Sequence, residues 1–138
     1  MILVLDTNVW LDWLLFDDDS VSPLKALVQS GDAEIWIDPA LQAELERVLA
    51  YDLGKHSIDA QKQAACLAEC RRIAREIHRP VSVLDLPRCA DPADQMFVEA
   101  AAAARADYLV TKDRDLLDLP RGRLTFRVVQ PEFFKAQV

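Results

Sequence analysis

The chain is predicted to adopt an α/β fold, a three-layer α/β/α arrangement around a central, mostly parallel sheet of about five strands. Two observations predict it. Short apolar runs alternate with longer helix-period stretches, the pattern of strands joined by crossover helices. Three helix starts carry a capping residue followed by proline, at Ser22-Pro23, Asp38-Pro39 and Asp91-Pro92.

Taken in order, residues 2–6 form an unbroken apolar run ending in Asp6, as expected of a strand buried on both faces. Residues 8–16 are apolar nearly all round and read as a buried helix, and Asp17-Asp18-Asp19-Ser20 is a polar break. Ser22 caps the next helix and Gly31 stops it. Residues 33–37 form the second strand, with Ile35 and Ile37 on one face and Trp36 on the other. Asp38-Pro39 opens a helix to about Tyr51. Ser57 or Asp59 opens the longest helix, which is expected to end before Pro80. A short third strand is expected at residues 81–84. Asp91-Pro92 starts a helix reaching Ala100–Ala104. Strands four and five are expected at 108–111 and 124–129, with a closing turn of helix at 131–135.

At 138 residues the chain is the size of one domain, spanning 1–138, with room for a single core. Hydrophobic content of 51% with 28% charged residues describes a soluble protein, expected in the cytoplasm. The start, Met1 to Leu5, lacks a basic stretch and runs straight into Asp6, so no signal peptide is expected. The apolar runs are too short for a membrane span. Cys66, Cys70 and Cys89 are an odd number without CxxC spacing and read as reduced thiols. His56 and His78 are too isolated to suggest a zinc site.

A net charge of −7 argues against coating nucleic acid by charge alone. The charge is uneven, however. Residues 1–60 carry 12 acidic and 3 basic side chains, whereas residues 61–138 carry 11 acidic and 13 basic. Arg71, Arg72, Arg75, Arg79 and Arg88 make one basic group, and Arg121, Arg123 and Arg127 another. These are either solvated faces or groups that steer a phosphate backbone.

Four acids far apart in the chain fall where such a fold gathers side chains. In parallel sheets, ligands bind outside the carboxyl ends of the strands. Asp6, Asp38 and Asp113 all lie at such ends. Asp6 either faces the site, with Thr7 and Asn8 supporting it, or caps the following helix. Glu44 lies beside the stripe Leu41, Leu45, Val48 and Leu49, as a metal ligand or as a boundary residue reaching for water. Asp91 and Asp94 share a helix face; capping accounts for Asp91, while Asp94 either joins the site or complements the helix dipole. Asp113 lies nearer the strand end than Asp115, which helps through a water or caps the following turn. Lys112 and Arg114 balance charge, contact phosphate or form surface salt bridges. Clustered carboxylates are costly unless a cation compensates them, and hard oxygen donors suit Mg²⁺ or Mn²⁺. The chemistry such a centre serves best is phosphoryl transfer.

Four blocks in order, LVLDTNV (3–9), LQAELERVL (41–49), DPADQMF (91–97) and ADYLVTKDRDLL (106–117), resemble the PIN domain, a family of metal-dependent ribonucleases. Within it, the chain resembles the VapC-like branch described as toxins of toxin–antitoxin pairs. The resemblance implies a parallel sheet with an acidic pocket for one or two Mg²⁺ or Mn²⁺ ions. Asp6, Glu44, Asp94 and Asp113 match the family's acidic positions, with Asp91 and Asp115 as auxiliaries. Asn8 and Thr111 match its supporting polar positions. It further implies RNA phosphodiester hydrolysis, a homodimer and inhibition by an antitoxin. Two departures stand out: Ala90 replaces a frequent basic residue, and the glycine frequent before Ala106 is missing. A haloacid-dehalogenase-like phosphatase needs a second Asp two positions after the first, where this chain has Asn8. A non-catalytic PIN-like binding module and a DNA-directed nuclease are the remaining alternatives.

Overall fold

The computed structural model describes residues 1–51, 58–78, 86–122 and 124–137. Strand β1 (Ile2–Leu5) leads into helix α1 (Thr7–Leu14), and a 3₁₀ turn (Asp19–Val21) runs into α2 (Ser22–Gln29). Then come β2 (Glu34–Ile37), α3 (Pro39–Leu49), α4 (Ala60–Ile73) and β3 (Ala74–Glu76). A second 3₁₀ turn (Pro92–Asp94) runs into α5 (Gln95–Ala104). Strand β4 (Tyr108–Val110), α6 (Arg114–Leu117), β5 (Arg127–Val129) and a 3₁₀ segment (Pro131–Gln137) complete the chain.

The expected three-layer α/β/α fold is observed. Its five strands lie in the order β3-β2-β1-β4-β5, and every pairing is parallel. From β1 the chain steps outward through β2 to β3, then returns to the other side of β1 as β4. The order therefore reverses between β1 and β4, and a parallel sheet opens a crevice at such a point, beyond the carboxyl ends of its strands. Leu5 is in register with Val110, so Asp6 and Thr111 emerge side by side at this crevice.

Leu3, Val4, Leu5, Leu109 and Val110 are fully buried, which requires cover on both sheet faces. Helix α5 packs on β1 and β4, and α1 packs on α3 and α4. Four buried alanines on α5 (Ala100, Ala101, Ala103 and Ala104) keep its contact face thin, so the helix lies close to the strands. The helix ends on Arg105, held at φ 53°, with Arg105 and Ala106 amides donating to Ala102 and Ala101 carbonyls. This is the left-handed helix ending that normally uses glycine. No helix among the described residues is long and apolar enough to cross a membrane.

The structure departs from the sequence reading at particular elements, and the fifth strand, expected at 124–129, is confined to Arg127–Val129. The longest helix stops at Ile73, well short of Pro80, and the following residues form β3 against β2. Pairing of Ala74 with Ile35 and Glu76 with Ile37, followed by burial of Ile77, outweighs the helix propensity of this segment. The strand expected at 81–84 lies outside the described residues. Ser22 is not the cap it resembles: Asp18 accepts from the Ser20 amide and caps the 3₁₀ turn that feeds α2.

Candidate metal centre

Asp6 ends β1 and is buried, at 5% exposure. One carboxylate oxygen accepts from the Asn8 amide at 2.6 Å, which caps α1, and the other accepts from the Thr111 hydroxyl. The same hydroxyl accepts from the Asp113 amide at 2.9 Å. Thr111 thus ties the end of β1 to the loop after β4 through one side chain. Burial is the main cause raising the Asp6 pKa; the bonds from Thr111 and Asn8 oppose it, and the charges of Asp113 and Asp12 add to it.

Asp94 comes from a third stretch of chain, at the junction of its 3₁₀ turn and α5. The two acids of the DPAD segment have separate roles. Asp91 caps the turn by accepting from the Ala93 amide at 2.9 Å, while Asp94 makes no capping bond. The Asp94 carboxylate is therefore left for Asp113. Asp113 itself caps α6, accepting from the Asp115 amide at 3.0 Å, and this places Asp115 in the first turn. Asp94, Asp113 and Asp115 each offer a ligand oxygen, and these oxygens lie within 4.8 Å of one another.

Such a group repels itself. Burial, the hydrogen bond to Asp113 and the charges of Asp113, Asp91 and Asp6 push the Asp94 carboxyl up to about 7. Without a cation, a proton held on Asp94 relieves the repulsion. A hard divalent ion fits the same place: the donors are all carboxylate oxygens, they come from two separate elements, and their repulsion is what a cation removes.

A PIN domain family profile matches residues 2–115. The chain belongs to the PIN domain family. Its fold is similar to a chain in the crystal structure of VapBC2 from Rickettsia felis bound to a DNA fragment from their promoter. The TM-score is 0.65 at 18% identity, covering 94% of this chain and 98% of that one. No curated protein matches the sequence.

The four acids read from the PIN motifs are not all gathered together. Asp94 and Asp113 meet, and Asp6 adjoins them through Thr111. Glu44 lies outside the three-carboxylate group: both its oxygens are held by Arg47, at 2.9 and 2.6 Å. Asp115, expected only as an auxiliary, enters the group. Of the neighbouring cations, Lys112 forms a salt bridge with Asp12 at 2.6 Å, on α1. The sequence reading overlooked Gln95, which is buried although polar. An amide between the acid Asp94 and the apolar Met96-Phe97 was its only signal.

Proposed function

We propose that this protein is a metal-dependent endoribonuclease, a single PIN-like domain using Mg²⁺ or Mn²⁺ to hydrolyse RNA phosphodiester bonds. The observation that carries the reading is the meeting of Asp94, Asp113 and Asp115 oxygens within 4.8 Å, beside buried Asp6. Asp94 and Asp113 are the ligands, with Asp6 as the third acid at the crevice and Asp115 completing the group. Glu44 joins them once released from Arg47. Asn8, Thr111 and Asp91 hold these acids in place through the hydrogen bonds described above.

A bound divalent ion supplies a nucleophilic water at neutral pH and neutralises charge building on the phosphate. The chain supplies the arrangement. Thr111 fixes Asp6 relative to the Asp113 backbone, and the α6 cap directs Asp115 toward Asp113. Exposure of Asp115 and Arg114 leaves the group open to solvent, as a polymeric substrate requires.

Family membership supports the nuclease reading. The finer reading, a homodimeric, cytoplasmic toxin held by an antitoxin, rests on the resemblance of the four sequence blocks, and likeness to a VapBC2 chain supports the fold it requires. The Glu44–Arg47 pair favours one second reading, a PIN fold that binds metal and RNA without turnover.

End-labelled single-stranded RNA and DNA, incubated with Mg²⁺, Mn²⁺ or EDTA, test the proposal. Metal-dependent cuts in RNA, lost in identically purified Asp6→Asn, are expected. Cuts that persist in that variant sink the site assignment. Cleavage of DNA alone turns the reading to a DNA nuclease, and metal binding without cleavage to the binding module.

A further inference from the structure

We infer that Gln95 is a positioning residue that holds Asp94 in register with Asp113, an inference that rests on the metal-centre reading above. Gln95 is 7% exposed. Its side-chain oxygen accepts from the Cys89 amide at 2.9 Å, and its side-chain nitrogen donates to the Pro87 carbonyl at 3.0 Å. One amide thereby engages a backbone donor and a backbone acceptor of the loop before the site. Within the same loop, Asp91 accepts from the Ala93 amide, and the Asp94 amide donates to the Asp91 carbonyl at 3.0 Å.

Residues 87–95 are consequently closed into a ring by side-chain and backbone bonds, and Asp94 is the acid carried at its end. Asp94 makes no capping bond, and its side chain bonds to Asp113 itself. Its position against Asp113 is inherited from the ring, which Gln95 closes. A buried amide flanked by Asp94 and apolar residues suits this role, because it supplies both a donor and an acceptor without adding charge to a crowded acidic site.

Outer groups that orient metal ligands typically change metal affinity by about 10–100-fold when removed. The test compares Mn²⁺ binding by calorimetry in wild type, Gln95→Met and Gln95→Asn. The first variant keeps the volume and loses both bonds; the second keeps a neutral amide one methylene short and guards against failure to fold. Leu27→Ala, in the core away from the site, serves as a control for lost stability. Roughly tenfold weaker Mn²⁺ binding in both Gln95 variants is expected, with Leu27→Ala at the wild-type affinity. Amide exchange at Cys89 is expected to accelerate in both Gln95 variants.

Wild-type affinity in the Gln95 variants, despite faster exchange at Cys89, overturns the positioning role and leaves the metal centre standing. Equal weakening in Leu27→Ala also overturns it, because the effect then follows stability alone. No Mn²⁺ binding by wild type removes the metal centre, and this inference with it.

Discussion

Thr111 is the residue on which two acids depend. Its hydroxyl donates to Asp6 and accepts from the Asp113 amide, and it is fully buried. Thr111→Val keeps the shape but strands a buried carboxylate and an amide, so a loss of about 1–3 kcal/mol is expected in urea unfolding. Thr111→Ser retains the hydroxyl and is expected to recover most of it. Asp94 carries a pH signature of the metal-free protein. A carboxyl raised from 3.8 to about 7 binds more protons folded than unfolded between those values. Stability is therefore expected to fall as pH rises through that window, and Asp6, also raised, adds in the same direction. Thermal melts in EDTA between pH 4 and 7.5 measure it, and Asp94→Asn is expected to flatten the slope. At this scale the sequence was legible where backbone position decides: Asp6 and Asp113 follow apolar strands, and Asp91 precedes proline. It was not legible where side chains choose partners. Glu44 has Arg47 three residues away on its own helix, and Asp115 meets Asp94 only through tertiary structure.

Helix starts were the most readable elements, because their signals are local: Asp38, Asp59 and Asp91 each cap within three residues. The end of α4 was not. No glycine or proline marks Ile73, and only pairing with β2 turns the following residues into a strand. The end of α5 shows the opposite case, where a missing signal has a measurable cost. Arg105 occupies a left-handed conformation that costs a side-chain-bearing residue about 1–2 kcal/mol, while glycine gives back part of that in the unfolded chain. Arg105→Gly is expected to stabilise the protein by about 1 kcal/mol in urea unfolding. A loss of stability would show that the arginine makes up for its backbone elsewhere.

At the scale of the molecule, strand order and charge act together. Reversal between β1 and β4 gathers acids from distant stretches at the carboxyl ends of central strands, and the exposure of Asp115 leaves their group open to solvent. Parallel topology was readable from alternating elements, whereas the identity of β3 awaited the assembled sheet. Binding a cation only in the folded state stabilises it, by about 2.7 kcal/mol at a hundredfold excess over Kd. Mn²⁺ is accordingly expected to raise the Tm of wild type and to leave Asp113→Asn nearly unmoved. The most direct test is anomalous scattering from crystals soaked in Mn²⁺. A peak is expected about 2.1 Å from carboxylate oxygens of Asp94 and Asp113. Ordered Asp94 and Asp113 without a peak between them, at saturating Mn²⁺ and neutral pH, would contradict the metal centre.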